Sequence, residues 1–133
     1  MKKKFKKTIP FILFGFITIN IMIPTSFGEE ETIQIVCTNS ALADFTSNII
    51  IDNVTIEYIM PAGACPAHFD TSPSDVSKIV NADIIISLGW EPWLESLLNK
   101  SGNSDYTEIK CQGLGEWNIP TGAIAYVEKI TQG

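Results

Sequence analysis

The sequence predicts an α/β fold, a single lobe with a four-stranded, mostly parallel sheet flanked by helices. Short β-branched or apolar runs alternate with capped, helix-period segments, the order that right-handed strand-helix-strand crossovers produce. The strongest run, Asp83 to Leu88 (Asp-Ile-Ile-Ile-Ser-Leu), is apolar without alternation, as in a strand buried on both faces of a parallel sheet. Setting aside an export leader leaves residues 29 to 133. Those are about 105 residues, enough for one small domain and not for two.

The amino-terminal leader sets the compartment. Five lysines among the first seven residues precede an apolar run from Ile9 to Ile23 and a small-residue stretch, Pro24-Thr25-Ser26-Phe27-Gly28. That is the pattern of a signal peptide over residues 1–28, cut after Gly28. The run is shorter than the roughly 20 residues that span a bilayer. The lobe is therefore expected to be exported, to a periplasm or an outer cell surface. With no cysteine near the cut, attachment through a lipid is not expected.

Thr32 to Thr38 (Thr-Ile-Gln-Ile-Val-Cys-Thr) has the length and β-branching of a buried strand and runs into Asn39-Ser40, which can cap a helix over Ala41 to Ile50. Asp52-Asn53 turns the chain into a second strand, Val54 to Ile59, stopped by the Pro61-Ala62-Gly63 loop. Ser72, Pro73 and Asp75 supply a hydroxyl N-cap, a proline in the first turn and a carboxylate at the third position of a helix through Val80. Asp83 to Leu88 is the third strand, ended by Gly89. Pro92 opens a helix in which Trp90, Trp93, Leu94, Leu97 and Leu98 recur at spacings of three and four; the tryptophans read as core. Ser101 to Ser104 is a surface turn, Tyr106 to Cys111 a fourth strand, and Pro120 precedes a last helix over Thr121 to Ile130, inside which the chain stops.

Charge excludes one class of partner. All fifteen acidic residues but only four lysines follow Gly28, so the exported part carries eleven more negative than positive charges. Such a surface repels phosphate backbones, and no nucleic acid is expected as a partner. Three cysteines, Cys37, Cys65 and Cys111, leave at least one unpaired, with Cys65 to Cys111 the first candidate for a bridge.

The chemistry converges on the loop after the second strand. His68 is the only histidine in the chain and lies a few residues before a helix start, where extra positive charge is disfavoured and the ring is kept neutral for coordination. Cys65-Pro66-Ala67-His68 has a Cys-x-x-His spacing. In a parallel sheet, ligands bind outside the carboxyl ends of the strands, and His68, Cys65, Glu91 and Cys111 all follow such ends. Asp70, Glu91 and Glu116 are the carboxylates placed to complete a metal shell.

Pro-Ala-Gly-Ala-Cys-Pro-Ala-His-Phe-Asp-Thr-Ser-Pro-Ser-Asp-Val, residues 61–76, resembles the Pro-x-Gly-x-x-Pro-His-x-Tyr-Glu-Pro-Thr-Pro-Ser-Asp segment of the substrate-binding proteins of zinc, manganese and iron ABC importers, the cluster A-I metal receptors. Asn81-Ala82-Asp83-Ile84-Ile85-Ile86 and Glu91-Pro92-Trp93-Leu94-Glu95 resemble the strand and helix that follow in that family. The resemblance implies two α/β lobes joined by a long helix, one metal ion in the cleft between them, and delivery to an ABC permease in the membrane. It matches His68 to the family's first metal ligand. The chain departs from the pattern in an extra alanine before His68, in Phe69-Asp70 where Tyr-Glu is usual, and in the added Cys65. Gly115 falls where the second histidine would stand, and the histidine-rich loop is absent. Cys65, Cys111 or Glu116 are the substitutes for that missing donor.

Residues 29–133 are thus expected to be the amino-terminal lobe of a metal receptor, with the second lobe missing or supplied by a separate chain. The ion is expected to be Zn2+, with Mn2+ and Fe2+ as alternatives, held by His68, Cys65, Glu116 and Cys111, without catalysis. Two other readings stand beside it: an exported structural or adhesive surface domain that has lost the ion, and a hydrolase using His68 as a base. No Gly-x-Ser-x-Gly, P-loop or His-Glu-x-x-His pattern supports the hydrolase.

Overall fold

The computed structural model describes residues 32–50 and 52–133, and the expected leader lies outside them. Along the chain run β1 (Ile33–Asn39), α1 (Ser40–Ser47), β2 (Val54–Met60), a 3-10 turn (Pro66–His68), α2 (Pro73–Val80), β3 (Ile84–Ser87), α3 (Leu94–Ser101), β4 (Thr107–Lys110) and α4 (Pro120–Gln132). The strands form one sheet in the order β2-β1-β3-β4, and every neighbouring pair is parallel. Among the described residues no helix is long and apolar enough to cross a membrane.

Strand alternation divides the core in two. Ile35, Cys37, Ile86, Leu88, Ile109 and Cys111 pack against Leu42 and Ala43 of α1 and Tyr126 and Ile130 of α4. Val36, Ile59, Met60 and Ile85 pack with Ile79 of α2, with Trp93 and with Leu94 and Leu97 of α3. Both faces of the central strands β1 and β3 are therefore dry, which is why their sequences carry no polar alternation. The chain leaves β1 toward β2 through α1 and crosses back to β3 through α2. The crevice beyond the carboxyl ends of β1 and β3 is thus the topological switch point of the sheet.

Caps follow the sequence. Asn39 Oδ1 accepts the Leu42 amide at 2.9 Å, and Asp75 Oδ2 accepts the Ser72 amide at 2.8 Å and the Ser72 hydroxyl at 2.7 Å. Helix α1 ends at Ser47 rather than Ile50, because the Ser47 and Asn48 side chains both donate to the Asp44 carbonyl and pull the last turn away from regular helix. Trp90 also departs from expectation. It lies ahead of α3, in the turn after Gly89, and is 53% exposed, whereas Trp93 is buried.

All three cysteines are free. The Cys65–Cys111 bridge is not formed, since Cys65 is exposed on a loop and Cys111 is buried between the sheet and its α1/α4 face. Burial pushes the Cys37 thiol up to about 12, opposed by its contact with Thr46, and the Cys111 thiol up to about 11, opposed by Lys129. Folded-state values above the unfolded value of 9.0 mean that these two thiols support the fold fully below about pH 9. That support is lost as the pH rises toward 11 and 12. Chemical unfolding at stepped pH should show stability falling above pH 9 by up to about 1.4 kcal/mol per pH unit for each thiol. At neutral pH a thiol reagent should modify Cys65 in the folded chain and reach Cys37 and Cys111 only on unfolding.

Candidate metal centre

Three loops meet beyond the carboxyl ends of the strands: residues 61–72 after β2, 88–93 after β3 and 111–119 after β4. The first is held rigidly despite its exposure. His68 closes a 3-10 turn, its amide donating to the Cys65 carbonyl at 3.1 Å, with Pro66 opening the turn where no amide is needed. Trp93 Nε1 donates to the Pro66 carbonyl at 3.0 Å, and the Phe69 ring packs on the Trp93 ring with centroids 5.3 Å apart. The turn that presents His68 is therefore fixed to the α2/α3 core on both sides of the histidine. Within it, Cys65 Sγ lies 3.4 Å from His68 Nδ1, and both residues are exposed.

Glu91 has a different part from the one its sequence position suggested. It is buried, and its carboxyl group accepts three donors: the Thr38 hydroxyl, the Leu88 amide at 2.8 Å and the Trp90 amide at 3.0 Å. Its oxygens tie the end of β1 to the loop after β3. They hold the switch point together and leave little capacity for an ion.

The third loop carries Glu116, which is exposed. Tyr126 of α4 donates its hydroxyl to the Gly115 carbonyl at 3.2 Å. Gly122 in the first turn of α4 lets the loop lie against the helix, since a Cβ there would sit 1.9 Å from the Glu116 carbonyl oxygen. Gly115 itself has φ +81°, a backbone conformation that a histidine adopts only under strain, although the space around it is open.

Leu88, Trp90 and Trp117 are shared by two adjoining depressions. One, of about 280 Å³, is lined also by Asn39, Met60, Pro61 and Pro66; the other, of about 320 Å³, is lined by Glu116, Asn118 and Tyr126. Pro66, two residues before His68, lines the first depression and Glu116 lines the second, so the loops that carry His68 and Glu116 border adjoining parts of this edge. Asp70 is exposed just beyond His68, whereas Cys111 lies in the core beneath. Only Cys65 and His68 of the expected ligands are in direct contact. Among the described residues no group of three or more His, Cys, Asp or Glu side chains is gathered tightly enough to enclose an ion. Of the expected ligands, the structure thus brings together one exposed thiol and one exposed imidazole on the open edge of the sheet. Sequence reading missed the Trp93–Pro66 contact that fixes the turn, because it joins residues 27 positions apart and has no local signal.

The family model described as zinc-uptake complex component A, periplasmic (ZnuA), matches residues 35–132. The metal ABC transporter substrate-binding lipoprotein FimA of Streptococcus parasanguinis is 34% identical over 107 residues, 74% of this chain and 34% of that protein. The manganese lipoprotein PsaA of Streptococcus pneumoniae is 30% identical and the iron lipoprotein MtsA of Streptococcus pyogenes 31% identical, each over 117 residues covering 77% of this chain and 38% of the relative. The chain thus spans about a third of the length of the curated relatives it matches. Among solved structures, Zn(II)-bound AdcA from Streptococcus pneumoniae superposes with a TM-score of 0.61 at 26% identity, over 76% of this chain and 25% of that one. A crystal structure of ZnuA superposes at 0.65 and 20% identity, over 76% and 45%, a likeness of fold.

Proposed function

The chain belongs to the ZnuA family of metal-binding ABC transporter substrate-binding proteins, and from that premise we propose that it forms the amino-terminal lobe of an exported metal-ion receptor, with His68 as the ligand this lobe contributes first. The observation that carries the reading is the placement of the chain's one imidazole. It stands exposed on a pinned 3-10 turn at the carboxyl edge of a parallel sheet, beside the switch point where such folds take their ligands. Glu116, on the loop after β4 that borders the adjoining depression, is the carboxylate this reading assigns to the same ion. Two loops on one open edge need further donors, which water supplies more weakly in this lobe alone. A second lobe, in the same polypeptide or in a separate chain, would close over the Trp90–Trp117 floor and supply them. Cys111 has its place in the core and is left out of this shell.

Zn2+ is the ion of first choice, with Mn2+ and Fe2+ the other ions carried by relatives, and an ABC permease would be the recipient. The metal is cargo in this account. The chain's task is to bind and release it, and no bond in a substrate is broken. Titration of the reduced chain with zinc, followed calorimetrically, should give one saturable site per chain that EDTA empties. Heat without saturation, or none at all, would favour the reading of a surface domain that has lost its ion.

A further inference from the structure

We propose that Cys65 Sγ is a second metal ligand beside His68 Nδ1, and that this thiolate makes the site select a thiophilic divalent ion, zinc, over manganese. The inference rests on the reading of His68 as a ligand and adds a donor and a selectivity to it. Zinc–sulfur and zinc–nitrogen bonds of about 2.3 and 2.0–2.1 Å, meeting at a tetrahedral angle, place the two donor atoms about 3.6 Å apart. In this chain Sγ and Nδ1 are 3.4 Å apart. The turn that sets this spacing is anchored by the Trp93 indole and the Phe69 ring, so it is present before any ion arrives. No cysteine competes for Cys65, because Cys37 and Cys111 are both buried.

In the metal-free chain the Sγ–Nδ1 contact is a hydrogen bond, and ion capture replaces it. The thiol proton leaves to solvent, and a sulfur lone pair forms the metal–sulfur bond. The Nδ1 lone pair forms the metal–nitrogen bond while Nε2 keeps the ring proton. No electron changes hands. Thiolate donors suit zinc, whereas manganese prefers carboxylate and other oxygen donors, so adding one sulfur raises zinc affinity with little gain for manganese.

The test uses Co2+ as a spectroscopic probe on the full chain, kept reduced, beside Cys65→Ser and His68→Ala, with zinc and manganese affinities measured on each. Cys65 is exposed, so the serine variant keeps the fold, which circular dichroism checks. The expected result is a thiolate-to-cobalt charge-transfer band in the native chain that is absent from Cys65→Ser. The same variant should lose about tenfold or more in zinc affinity and change little toward manganese, narrowing the preference. Cobalt bound without that band, with zinc affinity unchanged in Cys65→Ser and lost in His68→Ala, would overturn the thiolate ligand and leave the His68 reading intact. No cobalt or zinc bound by the native chain would overturn both.

Discussion

Replacing His68 with alanine is expected to abolish stabilisation of the fold by metal. At a free zinc concentration a hundred times the dissociation constant, a single site adds about 2.7 kcal/mol to the stability of the native chain. For a domain of this size that is a rise of roughly 10–20 °C in the unfolding midpoint. The alanine variant should unfold at the same temperature with or without zinc. His68 is exposed, so its loss should shift the metal-free midpoint by no more than a surface substitution does, within about 0.5 kcal/mol. Thermal scans of both proteins with zinc and with EDTA read both quantities. A zinc-induced rise that survives in His68→Ala would place the ion on other donors. A midpoint that does not respond to zinc in the native chain would fit a surface domain without cargo.

The largest purely structural effect is expected at Glu91. Its carboxyl group accepts three donors that meet at the switch point, the Thr38 hydroxyl and the Leu88 and Trp90 amides. Glu91→Ala leaves the Thr38 hydroxyl and the Leu88 amide unpaired in a buried setting, where each costs about 1–3 kcal/mol before any relaxation, and the Trp90 amide unpaired in a half-buried one. We expect a net loss of about 3–4 kcal/mol in urea unfolding, a large share of the stability of a domain this small. Glu91→Gln should lose less. Its amide oxygen can still accept two of the donors, while its amide nitrogen faces the third, a donor, without a bond. Thr38→Val, which deletes one donor and leaves Glu91 two, should cost least. Because the same contacts hold the backbone of Leu88 and Trp90, which line both depressions, zinc affinity should fall in step with stability across the series. A Glu91→Ala variant within about 1 kcal/mol of the native chain would show that the switch point does not depend on this carboxyl group.

Much of the architecture was legible because it follows from local rules. The Ile84–Ile86 run, the Asn39 cap and the Ser72–Asp75 box each express a preference of a few adjacent residues, and each appears where the chain predicts it. The last turn of α1 was not legible, since two polar side chains, Ser47 and Asn48, compete for one carbonyl in a way that propensity does not reveal. The role of Glu91 is illegible for a related reason. An acidic residue after a strand end can be a ligand or an internal brace, and only the three-dimensional approach of Thr38, 53 positions away, decides it. Trp90 keeps the three-and-four spacing of a helical face that begins only after it.

The site divides along the same line. The Cys-x-x-His spacing announces the contact of Cys65 with His68, because both lie in one short turn, whereas the Trp93 and Phe69 contacts that anchor that turn leave no local signal. Cys111 carried a signal that its position at a strand end obscured. It follows Ile109 by two residues, so it shares the inward face of β4, and alternation alone assigns it to the core. Glu116 depends on a loop that Gly122 allows to rest on α4, an approach between residues six apart that no pattern in the loop foretells.

The chain contains one histidine, which isolates the proposed ligand spectroscopically. Nitrogen NMR of the imidazole-labelled chain shows only His68, and titration with zinc follows its two ring nitrogens without assignment. If His68 is a ligand, one nitrogen resonance moves to the position of a metal-bound imidazole with one equivalent of zinc and returns on adding EDTA. The proposed pairing with Cys65 makes that nitrogen Nδ1. If one equivalent of zinc binds and neither nitrogen moves, His68 is not a ligand and the account of this lobe as half of a metal receptor's site is wrong.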